Sequence, residues 1–323
     1  VKRLTIIITY QPLSKLNSTE KMKNVRQYSQ MFTLLVFLFA VSYIQLFGQD
    51  NPVPVINQRR TNILKSTING TTYHLDVSLP QHYSATDTAH YPVLYILDGG
   101  LAFPIAHSAR IGQDMFGAIE DIIIVGIEYE WEESLTPWMT TRWKDFTPTQ
   151  DLSSDENPAF KKTFGVPEGS LNSGGADTFL SVIKKEIIPL IDKEYRTTSD
   201  RGISGHSLGG LFATYCLLSA PELFNRYGIN SPSLWWDKKA IFNTEKAFSE
   251  QHQDLSAKVF MSVGSLEGPL MTPVMKEFAE ILESRNYKGL KLKTHIFEEE
   301  THMSVVPAMI SRTIVMLYGT KRQ

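Results

Sequence analysis

The stretch Gly205-His206-Ser207-Leu208-Gly209-Gly210 carries the pattern G-x-S-x-G. That spacing suits a serine raised on a sharp turn between a strand and a helix. The positions two before and two after the serine must be small, because side chains there would collide with neighbouring strands. Gly205 and Gly209 meet that need. Arg201–Ser204 can form a short strand and Leu211–Leu218 reads as helix, so the motif stands in the context it requires. The chemistry implied is nucleophilic attack by Ser207. The Leu208 N–H, at a helix N-terminus, is placed to hold the negative charge that develops.

A serine hydroxyl needs a base. Where this elbow sits on a parallel sheet, the partners follow in the order serine, acid, histidine. After Ser207 only His252, His295 and His302 remain. His295 falls inside an alternating strand pattern, and His252 in a polar, helical-looking segment. His302 follows the last strand, in a loop at the carboxyl end of the sheet, and is the candidate general base. His206 is expected to pack beside the elbow. Glu267 is the sole carboxylate in the loop Gly264–Pro269 and is the candidate acid. Asp237 and the run Glu298–Glu300 compete with it, and a Ser–His dyad needing no acid stays open. A second N–H donor is expected from the loop after an earlier strand, where Leu97-Asp98 is followed by Gly99-Gly100-Leu101. The N–H of Gly99, Gly100 or Leu101 would serve. This chemistry calls for no metal and no organic cofactor. Cys216, mid-helix among apolar residues, reads as a small buried residue rather than a thiol nucleophile.

These residues need a scaffold, and the pattern supplies one. Residues 61–68 and 73–79 alternate like half-buried strands, and Asn69-Gly70 between them signals a hairpin. Short apolar runs of the buried-strand type follow at Val93–Leu97, Ile122–Ile127, Tyr227–Ile229 and Val259–Val263, and Leu290–Phe297 alternates again. Helical patterns lie between them at Ala176–Ile191, Leu208–Ser219, Pro273–Ser284 and Ser304–Leu317. Pro189 should weaken or kink the first of these. Strands alternating with helices predict an α/β fold, with a mainly parallel central sheet and helices on both faces. The stretch 131–175, rich in Thr, Ser, Pro, Trp and Asp, breaks the alternation and reads as a long loop or lid.

The chain has 323 residues, 42% hydrophobic and 20% charged, which excludes a disordered or collagen-like chain. Residues 1–21 show no clear amphipathic pattern and read as an untranslated or disordered leader, with Met22 as the start. Lys23 and Arg26, the apolar run Met31–Val41 and Gly48-Gln49 then have the layout of a secretory signal peptide over 22–49. The alternative is an N-terminal membrane anchor, but the apolar run is shorter than the roughly 20 residues a span needs. The expected location is therefore periplasmic or secreted, without stable membrane insertion. Residues 50–323 are expected to form one domain. The formal charge is −2 overall; loss of residues 1–49, with six Lys+Arg and one acid, would leave −7. That argues against a nucleic-acid partner. With one cysteine, Cys216, neither an intramolecular disulfide nor a Cys-rich zinc site can form.

Several further motifs carry a resemblance. They are Tyr95–Gly100, Arg142–Pro148 (Arg-Trp-Lys-Asp-Phe-Thr-Pro), Gly174–Leu180, Glu186–Asp192, the elbow itself, Ser231–Trp236 (Ser-Pro-Ser-Leu-Trp-Trp) and His302–Pro307. Together they resemble the bacterial branch of the esterase-D-like α/β-hydrolases that contains enterochelin and salmochelin trilactone esterases, over roughly residues 60–318. The resemblance implies an α/β-hydrolase fold and a serine esterase acting through an acyl-enzyme on a small-molecule ester. It assigns Ser207 as nucleophile and His302 as base. It also implies that Arg142 faces the active site and contacts an acidic or catecholate part of the ligand; the plain alternative is a local pair with Asp145. Trp235 and Trp236 would form an aromatic wall, or else pack after a strand. Two rival functions stay open: a non-catalytic binding protein on the same fold, and an acyltransferase.

Overall fold

A computed structural model describes residues 59–320, apart from 85, 87 and 131–134. The expected leader and signal peptide lie outside the described residues. β1 (Arg59–Lys65) and β2 (Thr72–Ser78) pair antiparallel around a turn in which Gly70 has φ 75°. Six further strands follow: β3 (Tyr91–Ile96), β4 (Ile123–Tyr129), β5 (Thr197–His206), β6 (Arg226–Asn230), β7 (Lys258–Gly264) and β8 (Lys291–Phe297). They are mutually parallel, and β2 joins them antiparallel to β4. The sheet has eight strands in the order β1-β2-β4-β3-β5-β6-β7-β8. From β3 the chain steps to β4 on one side, then returns past β3 to β5 on the other. The carboxyl ends of β3 and β5 therefore flank a topological switch point, where open α/β sheets place their ligands.

The helices are α1 (Gly99–Met115), α2 (Leu135–Asp145), α3 (Leu152–Asp155), α4 (Pro158–Phe164), α5 (Ala176–Val182), α6 (Ile188–Glu194), α7 (Leu208–Ser219), α8 (Trp236–Gln251), α9 (Thr272–Ser284) and α10 (Val306–Tyr318). The central strands are apolar on both faces, as β4 shows with all seven residues buried. Leu94, Ile96 and Ile124 meet Phe103 of α1 and Ile310, Ile314 and Leu317 of α10 on one face. Val93, Tyr95, Val125 and Ile203 meet Phe179 of α5, Phe212 of α7 and Phe278 of α9 on the other. This is the mainly parallel, doubly covered sheet that the alternation of patterns predicts. No described helix is long and apolar enough to cross a membrane.

Three departures bear on the site. The Gly99-Gly100 pair does not sit in a loop but opens α1 directly after β3. The excursion is not a bare loop: over its described residues it folds into α2, α3 and α4, and Trp143, Phe146 and Met139 anchor it in the core. Pro189 does not kink a continuous helix. Instead α5 passes into a π-helical turn, Ile183–Ile187, before α6 starts. A wider turn accommodates a position that has no N–H to donate to the preceding carbonyl.

Candidate active site

Ser207 stands between β5 and α7 with φ 61° and ψ −121°, a conformation that L-residues rarely adopt. Its N–H bonds the Asn230 carbonyl at 3.1 Å, which fixes the turn to β6. The turn is possible because its neighbours are small. A Cβ at Gly205 would overlap the Gly209 carbonyl oxygen, and one at Gly210 would come within 2.7 Å of the Asn230 oxygen. At Gly209 the nearest atom, Asp98 Oδ2, would lie 3.5 Å away, an ordinary contact. The crowded pair is therefore Gly205 and Gly210, not Gly205 and Gly209. Gly205→Ala is expected to destabilise the fold by at least about 2 kcal/mol, since packed backbone cannot yield. Gly209→Ala should shift the urea midpoint far less; equal shifts would refute this account of the turn.

His302, between β8 and α10, puts its Nε2 at 3.0 Å from Ser207 Oγ and its Nδ1 at 2.6 Å from Glu267 Oε2. The Glu267 side chain is fully buried. Its Oε1 accepts the Ser231 hydroxyl and the Gly264 N–H, each at 2.6 Å. Burial alone would raise this carboxyl, but hydrogen bonds from His302, Ser231 and Gly264 hold it below the ordinary glutamate value. The loops bearing the acid and the histidine are stapled together by Ser265 N–H to Phe297 O at 2.8 Å and Leu266 N–H to Glu300 O at 3.0 Å. Glu267, not Asp237 or the Glu298–Glu300 run, meets the histidine. His206 does pack beside the elbow, its ring 4.4 Å from that of His302. Burial, then the nearby His302 and Arg142, push its pKa well below the usual histidine value, so it stays a neutral wall. His295 lies in β8 with its ring edge-on to Phe297.

The second donor can be narrowed among the three candidates. The Gly100 N–H bonds Glu128 Oε2 at 2.6 Å, and the Leu101 N–H bonds Asp98 O at 3.1 Å. The N–H groups of Gly99 and Leu208 have no acceptor among the described residues. Both lie at helix N-termini, at the ends of β3 and β5, where the dipoles favour negative charge.

Arg142 is placed otherwise than expected. It is 7% exposed, and its guanidinium is taken by Asp98: Nε to Oδ1 at 2.6 Å and Nη2 to Oδ2 at 2.9 Å. Nη2 also reaches the His206 carbonyl at 3.3 Å, and the group lies over the rings of Trp138 and Phe146. Arg142 thus ties α2 to the loop after β3 and to the end of β5, rather than presenting a free cation to a ligand. Its partner is not Asp145 either. Asp145 accepts the Tyr73 hydroxyl at 3.0 Å, and burial pushes its carboxyl up to about 7.

Trp236 is no wall of the cleft. It is 1% exposed, donates Nε1–H to Thr149 O at 3.1 Å and packs edge-on to Trp143. Trp235 is half-buried and stacks on Phe160 of α4. The Ser231–Trp236 motif reaches the site through its serines instead. Ser231 holds Glu267, and Ser233 Oγ lies 3.4 Å from Ser207 Oγ. Glu128, missed in the sequence, lies immediately after the apolar run that marks its strand.

The family model described as "Putative esterase" matches residues 66–304. The chain belongs to that esterase family. A ferri-bacillibactin esterase of Bacillus subtilis is 32% identical over 254 residues, 75% of this chain and 83% of that protein. A siderophore triacetylfusarinine C esterase of Aspergillus fumigatus is 31% identical over 300 residues, 83% of this chain and 96% of that protein. The crystal structure of an IroE-like serine hydrolase from Shewanella oneidensis superposes with a TM-score of 0.66 at 28% identity, covering 80% of this chain and 79% of that one. This esterase is accordingly a carboxylic-ester hydrolase of the α/β-hydrolase fold, related to siderophore esterases.

Proposed function

We propose that the esterase cleaves ester bonds of siderophore-like lactones through an acyl-enzyme on Ser207. The observation that carries the mechanism is the continuous chain from Glu267 through His302 to Ser207, at 2.6 and 3.0 Å. His302 Nε2 takes the Ser207 proton as Oγ attacks the ester carbonyl. The oxyanion is held by the N–H groups of Leu208 and Gly99. His302 then protonates the departing alkoxide, and water releases the acyl group by the same steps in reverse order of partners. Glu267 orients the imidazole and stabilises its charged form.

The names of the two relatives, one acting on ferri-bacillibactin and one on triacetylfusarinine C, support the siderophore class. The basic segment, apolar run and small residues over 22–49 support secretion or periplasmic location of the mature chain. N-terminal sequencing of the exported product reads that directly. For the substrate, kcat/KM should be measured on cyclic trilactones of catecholate and hydroxamate type, on their linear forms and on p-nitrophenyl acetate. Cyclic trilactones are expected to exceed the simple ester by at least about 100-fold, as remote binding energy is used in the transition state. Preference for the simple ester would remove the siderophore assignment and leave the esterase.

A further inference from the structure

Glu128 closes β4 beneath the first turn of α1. It is 4% exposed, yet among the described residues the hydrogen bonds to its carboxylate all come from N–H groups. The carboxylate accepts the Gly100 N–H at 2.6 Å, the Tyr129 N–H at 2.7 Å and the Trp138 Nε1–H at 2.8 Å. These donors come from three elements: α1, β4 and α2. Arg142, the nearby guanidinium, is engaged by Asp98 instead. Burial pushes the Glu128 carboxyl up to about 7, against the pull of its N–H donors. A carboxylate retained in such a place costs desolvation, which a core residue would avoid.

The geometry shows what this arrangement does. Gly99 and Gly100 form the turn from which an oxyanion donor must come. A Cβ at Gly99 would press to 3.0 Å of the Gly126 backbone, so this turn already lies against β4. Its remaining freedom is the direction of its N–H vectors. Glu128 takes the Gly100 N–H and thereby sets the plane of the Gly99–Gly100 peptide, which shares the Gly99 Cα with the preceding peptide that carries the N–H left over for substrate. Through Trp138 the same carboxylate holds α2, so the excursion and the oxyanion turn are fixed by one group.

We propose that Glu128 is a positioning residue for the oxyanion hole, aiming the Gly99 N–H by holding the Gly100 N–H and locking the turn to α2 through Trp138. This rests on the serine-esterase reading above. Glu128→Gln keeps the shape but replaces one acceptor oxygen by an NH2 donor that would face an N–H. In the full-length enzyme its kcat for p-nitrophenyl acetate is expected to fall about 30- to 100-fold, with KM within about threefold, because the loss falls in the transition state. Affinity for a boronic acid that mimics the tetrahedral intermediate should weaken in parallel. Glu128→Asp, which keeps the charge but is one methylene short of Gly100, should show the same split. Where Glu128→Gln does not fold, Glu128→Asp and Trp138→Phe decide on the same terms. A folded variant with kcat and boronate affinity within about twofold of wild type would overturn the proposal. A rise in KM with kcat unchanged would equally overturn it, since that marks ground-state binding. Retention of turnover by Ser207→Ala would instead defeat the underlying serine mechanism, and so separates the two failures.

Discussion

Ser207→Ala is expected to lower kcat for p-nitrophenyl acetate by about 10⁴-fold or more, and to abolish labelling by a fluorophosphonate probe. The size follows from the geometry. Without Oγ, His302 has nothing to deprotonate at 3.0 Å, and no acyl-enzyme can form. What remains is the oxyanion site and substrate binding, which still hold a water-attacked ester poorly. Glu267→Gln should cost about one to two powers of ten less, because the nucleophile and base survive. Its loss is nonetheless large. An amide at that place, facing the Ser231 hydroxyl and the Gly264 N–H, would retain a neutral oxygen but not the charge that stabilises the imidazolium. Both variants should keep the melting temperature within a few degrees, which separates lost chemistry from lost fold. Turnover of Ser207→Ala near wild type would dismiss the nucleophile assignment. Full activity in Glu267→Gln would reduce the arrangement to a dyad.

The chemistry was legible because it is encoded locally. Gly205 to Gly210 announce the elbow within six residues, and the order serine, acid, histidine limited the base to three histidines. Glu267 could be chosen because its loop offers one carboxylate. The strands were legible for a similar reason: β3, β4 and β7 are short apolar runs between turn signals. Contacts between distant segments were not. Arg142 stands three residues from Asp145 but bonds Asp98, 44 positions away, a pairing that no local spacing reveals. α1 was hidden because it opens on two glycines, poor helix formers, and is held by packing against β4 and α10. In the Ser231–Trp236 segment the large residues drew attention, whereas the small hydroxyls make the contacts to the site. Tryptophan at a motif end says that a ring must be buried somewhere; it does not say against what.

Arg142→Ala distinguishes the structural role of this arginine from the ligand contact that the resemblance implies. A ligand contact predicts a rise in KM confined to anionic esters, with the fold intact. The structure predicts a different result. Burial opposes the Arg142 charge, but Asp98 more than compensates and holds the guanidinium pKa above its usual value. Removal leaves the Asp98 carboxylate buried without a counter-charge, at an expected cost of about 3–5 kcal/mol. For a chain of this size that is a fall of roughly 5–10 °C in Tm. Asp98 itself has φ 55° and immediately precedes the oxyanion turn, so its release should disturb Gly99 as well. The kcat/KM of neutral and anionic esters should therefore fall together, by at least about tenfold, as orientation at the reacting carbon is lost. The double variant Arg142→Met, Asp98→Asn removes both charges and should recover a good part of the stability, because the unpaired carboxylate is the costly species. It should not recover all of the activity, since the link from α2 to the His206 carbonyl is still gone. A stable Arg142→Ala enzyme that loses only its anionic substrates would show that the guanidinium leaves Asp98 to meet the ligand.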